Sequence, residues 1–217
     1  MPALTTDLNV LVCQKARDVP DFVLESLQLH EVNANVILPT LIKCCEKENS
    51  GGVIKDHLWI VVYKNTGDSF EVKVVVSCTD GLIGKYPIFL FSPLPSDSHQ
   101  DRLMLPSLTL AARELFLNVS PRRVYSVFGP EVLSRTFAGI WTTNTNIQLA
   151  QDPYYYSCKI SYLTLGTLIE KELPLASDQT GYLRPAVQTD VEGVARLNFL
   201  FAADAVCRFC LPQRIHL

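Results

Sequence analysis

Between His57 and Cys78 the chain reads HLWIVVYKNTGDSFEVKVVVSC. Two runs, residues 58–63 and 70–78, are dominated by Val, Ile, Tyr, Phe and Trp, side chains that fit a pleated, packed surface. The polar stretch between them, residues 64–69, contains Gly67 and reads as a hairpin loop. YPIFLFSP, residues 86–93, supplies a third strand, so the simplest arrangement is an antiparallel meander. DGLIGKY, residues 80–86, stands before that strand and is read as a turn.

The flanking segments follow a different period. Upstream, LNVLVCQ (8–14) is a short strand. Asp18 is expected to cap a helix whose early turn holds Pro20 and Asp21. Phe22, Leu24, Leu27, Leu29, Val32, Val36 and Ile37 recur at helical spacing. Pro39 is expected to break or kink that run, and a second helical piece, 41–48, stops at Asn49-Ser50-Gly51-Gly52. Downstream, PLPSDSHQDR is a loop. LPSLTLAARELFLNV then predicts a helix capped by Ser107, with Leu108, Ala111, Ala112, Leu115 and Phe116 as its apolar stripe. RRVYSVFG (122–129) predicts a strand. Pro130 opens the next helix, with Glu131 in the first turn and Val132, Leu133, Phe137 and Ile140 on the buried face. YYYSCKISYLTLG (154–166) predicts a further strand. The charged and Pro-, Ser- and Gly-containing EKELPLASDQTG is a linker. The reading is an α+β domain over 1–173 with a mixed, largely antiparallel sheet flanked by helices. A linker at 174–181 and a short C-terminal extension follow.

Composition narrows the function. Apolar residues make up 48% of the 217, enough for a substantial core. The formal net charge is −3, and no basic patch of the kind nucleic acid or an anionic membrane needs is visible. Arg113, Arg122 and Arg123 come nearest, but Glu114 lies among them, and the group reads as a solvated helix end. No apolar run approaches the ~20 residues that cross a bilayer. The N-terminus lacks the pattern of a signal peptide. Seven cysteines at irregular positions then read as reduced thiols of a cytoplasmic protein.

Near the end stands YLRPAVQTDVEGVARLNFLF, residues 182–201. It reads as a strand, a turn at Thr189-Asp190 and an amphipathic helix, the opening of a new α/β domain. Together with FVLESLQLHEVNANVILPTLI, in which Glu31 is followed by Asn33 and Asn35, and VYSVFGPEVLSRTFAGIW, ending in Trp141, it resembles the GNAT N-acetyltransferase superfamily. Across roughly 18–206, the order of elements resembles a member with a degenerate N-terminal GNAT-like domain, followed at 182–206 by the first strand and helix of a catalytic one. The resemblance implies an acyl-CoA donor and a primary amine acceptor. Such enzymes hold the CoA pyrophosphate on the amides of a helix N-terminus through a loop of pattern Arg/Gln-x-x-Gly-x-Gly/Ala, since glycines let the backbone approach the phosphates. Here the matching stretch, 94–106, has no glycine, and Asp97 and Asp101 add the wrong charge. In the second domain the loop would fall beyond residue 206, where an unrelated tail, 207–217, begins. The expectation is that this chain binds no acetyl-CoA, carries no catalytic residue and is inactive alone. It would serve as a scaffold that partners a complete GNAT domain or associates with itself. The alternative is a freestanding binding or dimerising module, whose orphan helix exposes Val194, Leu197, Phe199 and Phe201.

Other constellations are thinner. Cys207 and Cys210 form a Cys-x-x-Cys near His216, but a zinc site needs a fourth ligand, and adjacent Cys44 and Cys45 suit a tetrahedron poorly. Cys78 and Cys158 in strands, with His57 opening one, leave a Cys–His nucleophilic pair open, although buried structural thiols are the better reading. Tyr154 and Tyr156 would share a strand face opposite Tyr155 and could line a pocket; an edge strand is the commoner use. Gly-x-Ser-x-Gly, Gly-x-Gly-x-x-Gly and a phosphate loop are absent from the sequence.

Overall fold

Strand β2 (Leu58–Asn65) buries five residues in succession, Leu58 to Val62. Successive side chains of a strand point to opposite faces, so such a run must be covered on both sides. A computed structural model of the chain shows how. It describes residues 8–54, 56–67, 69–81, 84–94, 101–151, 153–154 and 184–206, with 101–103 and 201–206 described by backbone alone. Around β2 lie β1 (Leu8–Cys13), β3 (Phe70–Cys78), β6 (Ile88–Phe91) and β7 (Val127–Phe128), in sheet order β1-β2-β3-β6-β7. The first three pairings are antiparallel and β6–β7 is parallel. A two-residue ribbon, β4 (Asp80–Gly81) with β5 (Gly84–Lys85), forms the turn expected between β3 and β6.

Helices cover both faces. On one side α3 (Asp101–Asn118) and α4 (Glu131–Thr145) enclose Leu58, Ile60, Val62, Val74, Val76 and Ile88. On the other, α1 (Asp21–Leu29) and α2 (Ile37–Asn49) enclose Trp59, Val61, Val72, Val75 and Phe91. The alternation 58/60/62 against 59/61 is the pleat itself. In β3 the register slips opposite Val62/Tyr63, leaving Lys73 as the extra residue. That bulge puts Val72 and Val74, two apart in sequence, on opposite faces. The hairpin loop closes as the sequence implies: Gly67 has φ +91°, and Thr66 N–H donates to Ser69 C=O at 2.9 Å. After β7 comes Gly129, where a Cβ would lie 2.9 Å from the Leu90 carbonyl oxygen; a side chain there would push β7 away from β6.

Several local expectations are corrected. Asp18 ends a 3-10 turn (Ala16–Asp18) rather than capping α1, whose N-cap is Pro20 with no side-chain cap. The first helical run breaks at residues 30–36. Pro39 sits in the first turn of α2, where its missing N–H has no intrahelical role. α3 begins at Asp101, with Pro106 inside it and Ser107 buried rather than capping. One lost backbone bond at Pro106 is offset because the extra turn buries Met104 in line with Leu108, Ala111, Ala112 and Leu115. The expected strand 122–129 shrinks to β7, preceded by a 3-10 turn, Pro121–Arg123. On α4 the buried face is Leu133, Phe137, Ala138 and Trp141, with Val132 and Ile140 half-buried.

The chain divides into two compact units, one carrying β1 to α4, the other α5 (Val191–Val206) and the 3-10 turn Gln188–Asp190 before it. In the second unit Arg184 donates two bonds to the Asp190 carboxylate, at 2.6 and 2.8 Å, and Val187 N–H donates to the same group at 2.9 Å. That clamp folds residues 184–187 back on the turn, so the strand expected there is not formed within 184–187. The strand expected at 154–166 lies outside the described residues except for Tyr154, which is exposed. The linker and the 207–217 tail lie outside altogether. Among the described residues no helix is long and apolar enough to cross a membrane.

Candidate functional site

Three chain reversals meet at one end of the sheet. β1 runs out at Cys13 opposite Trp59, β2 begins at Leu58 opposite Cys78, and α3 ends at Asn118. Between them lies a cavity of about 690 Å³. Its described lining combines Ile54, Leu58, Cys78 and Val119 with the polar Gln14, Lys15, Asp56, His57, Lys85 and Arg123. The volume is in the range of small-molecule sites.

The walls are tied down by polar bonds that reach far along the chain. Glu48 at the end of α2 accepts the Ala16 and Arg17 N–H groups, each at 3.0 Å, and so holds the 3-10 turn beside Lys15. Arg123 is the correction to the solvated cluster read from the sequence. Arg113 is exposed and paired with Glu114, but Arg123 is only 8% exposed. It donates to Tyr86 C=O at 2.9 Å, to Thr79 C=O at 2.7 Å and to the Asp80 carboxylate at 3.1 Å. The 3-10 turn at 121–123, formed in place of the expected strand, holds this guanidinium against Thr79 and Tyr86, which flank the β4–β5 ribbon and whose carbonyls accept from it.

His57 does pair with a cysteine, but with Cys44 of α2. Its Nδ1 lies 3.4 Å from Cys44 Sγ and its Nε2 3.2 Å from the Asp80 carbonyl oxygen. A carbonyl only accepts, so Nε2 carries the proton and Nδ1 accepts from the thiol. Burial pushes the Cys44 thiol up to about 11, helped by Glu48 and Cys45. Burial holds the His57 imidazole below its usual range, against a smaller opposing pull from the Asp80 carbonyl and carboxylate. At neutral pH both members are therefore uncharged, the reverse of the thiolate–imidazolium pair a cysteine nucleophile needs. Cys78 is buried, and desolvation raises its thiol as well. Cys13, Cys44, Cys45 and Cys78 are free thiols. No third His, Cys, Asp or Glu joins Cys44 and His57 in a metal-ligating group among the described residues. Cys158, Cys207, Cys210, His216, Tyr155 and Tyr156 lie outside the described residues.

The depressed His57 makes stability depend on pH. An unfolded chain takes up this proton near pH 6.5, the folded protein only at lower pH. Between the two values the unfolded state binds more protons, so the contribution is complete above about pH 6.5 and is lost as pH falls through the folded value. Urea midpoints are expected to fall between about pH 7 and about pH 5.5, and less so in His57→Gln. Parallel curves for the two proteins would remove His57 as the cause.

The position matching a CoA loop lies at the other end of the sheet, where β6 leads into α3. Ser92 is buried there, and its hydroxyl accepts the Leu94 N–H at 3.3 Å, so that amide is already engaged. The stretch 92–101 contains no glycine and two aspartates. The residues present do not fit a pyrophosphate. Comparison with protein-family models, with curated proteins and with solved structures finds no match for the chain.

Proposed function

We propose that this chain is the N-terminal portion of a GNAT-type, acyl-CoA-dependent N-acetyltransferase, its first unit a non-catalytic scaffold and residues 182–206 the opening of a catalytic domain. The observation that carries the reading is the parallel β6–β7 pair, joined through α3, on an otherwise antiparallel sheet entered by β1, α1 and α2. The order of elements through α4 is the one the resemblance implies. The Arg184–Asp190 clamp before α5 gives residues 184–190 a local structural role. The scaffold role rests on the loop before α3, where glycines are missing, one amide is engaged and the charge opposes phosphate.

Two measurements test it. Calorimetric titration of the 217-residue chain with acetyl-CoA is expected to give no saturable heat; submillimolar binding would overturn the scaffold assignment. The coding sequence downstream of residue 206 is expected to hold a frame encoding Arg/Gln-x-x-Gly-x-Gly/Ala ahead of a helical pattern. Its absence in all frames would sink the family reading. A freestanding dimerising module is the second reading, favoured by the exposure of Val194, Leu197, Phe199 and Leu200 on α5. Light scattering after size exclusion distinguishes it, since a monomer at every concentration counts against self-association.

A further inference from the structure

We infer that the cavity at the α3 C-terminal end of the sheet is a binding site for a small organic anion, a carboxylate with a short apolar body. The inference does not rest on the acyltransferase reading, whose cofactor would bind at the opposite end of α3. An 18-residue helix separates the two ends, roughly 27 Å at 1.5 Å per residue.

The anionic head follows from the hydrogen-bonding capacity that the protein leaves unengaged. A guanidinium has five N–H donors. In Arg123, three bonds go to Thr79, Tyr86 and Asp80 from Nη1 and Nη2. Nε–H and the second Nη1–H have no partner among the described residues. These donors belong to a side chain more than nine-tenths buried that lines the cavity, and three bonds hold it in place. Lys15 and Lys85 line the same space and have no ion-pair partner among the described residues. Against these three cations stand Asp56 in the lining, Asp80 behind Arg123, Glu48 beside the Lys15 turn, and the carbonyl end of α3, worth roughly half a negative charge, with Lys47 adding a cation near His57. The balance is close to neutral, so the selection rests on the unengaged donors and their placement. The free capacity of Arg123, Lys15 and Lys85 is all donor, which selects an acceptor with two oxygens on one atom. His57 contributes no charge, because both ring nitrogens are engaged and burial keeps it neutral.

The apolar body follows from the rest of the lining. Half-buried Ile54 and Val119 offer hydrocarbon surface, backed by the buried Leu58 and Cys78, that an inorganic anion would leave wet. The cavity is much larger than a bare phosphate or acetate needs.

The test is a titration of the uniformly 15N-labelled full chain with sodium hexanoate, followed by amide shifts in two-dimensional NMR. Saturable shifts are expected at Ile54, Leu58, Val119 and Arg123, with a Kd of about 1 mM for so small a ligand. Lys15→Ala/Lys85→Ala, both exposed side chains whose loss leaves the fold intact, should weaken binding about tenfold with an unchanged melting temperature. Hexylamine and inorganic phosphate are the controls and should bind at least tenfold more weakly. No saturable shift with hexanoate, equal binding by the double variant, or equal binding of hexylamine would overturn the site. Phosphate binding as tight as hexanoate would overturn the assignment of an apolar body.

Discussion

Phe137→Ala is expected to lower the stability of the sheet unit by about 3–5 kcal/mol, the range for deleting a fully buried aromatic ring. Phe137 is fully buried where α4 meets α3 and the sheet. It stacks on Trp141, with ring centroids 6.1 Å apart and an interplanar angle of 11°; Phe116 of α3 meets the same indole edge-on. Truncation removes ring burial and leaves a cavity, because the neighbours are held by two helices and a sheet and cannot all relax inward. A domain of this size holds roughly 5–15 kcal/mol in total, so the variant should be marginal at 37 °C. Guanidinium unfolding followed by tryptophan fluorescence checks it. Both tryptophans of the chain, Trp59 and Trp141, lie in this unit. A loss below about 1 kcal/mol would mean that the α3–α4 face is not packed as described.

Arg123→Ala should cost about 2–4 kcal/mol, less than breaking a fully buried ion pair because Asp80 keeps some contact with water. It is far above the ~0–1 kcal/mol of an exposed pair such as Arg113–Glu114. The loss has two parts. The Asp80 carboxylate loses its cation, and the Thr79 and Tyr86 carbonyls lose a shared donor at the junction of β3, the β4–β5 ribbon and β6. Arg123→Lys should recover only a minor part, since one ammonium cannot replace a planar fork across three acceptors. Denaturant midpoints of the two variants decide. A lysine variant as stable as the parent, or an alanine variant within about 0.5 kcal/mol, would show that the guanidinium is not structurally required.

The legible parts of this fold are those that local physics controls. Residues 58–63 and 70–78 pair as a hairpin because β-branched and aromatic side chains stand on either side of a loop whose Gly67 takes positive φ. Pro130 and Glu131 open α4 where helix-start chemistry places them. Errors cluster where tertiary contact overrides a local signal. Pro39 reads as a break or kink and Ser107 as the cap of α3. Instead Pro39 sits in the first turn of α2, where its missing N–H costs nothing, and α3 starts six residues before Ser107, with Pro106 inside it and Met104 buried.

The amino-acid order alone determined most element types from β1 to α4, the α+β class and the largely antiparallel sheet, because periodicity, turn residues and helix-start residues act within a few positions of one another. The tertiary structure decided the site. Arg123 reads as a surface charge beside Arg122 until the chain brings Thr79 and Asp80, 44 and 43 residues away, under its guanidinium. By sequence His57 has Cys78 or Cys158 as candidate partners; in the fold its partner is Cys44, because α2 packs against the opening of β2. The cavity exists only because the ends of β1, β3 and α3 converge on the start of β2. A side chain's charge is written in the sequence, but its solvation and its partners depend on which distant segments meet around it.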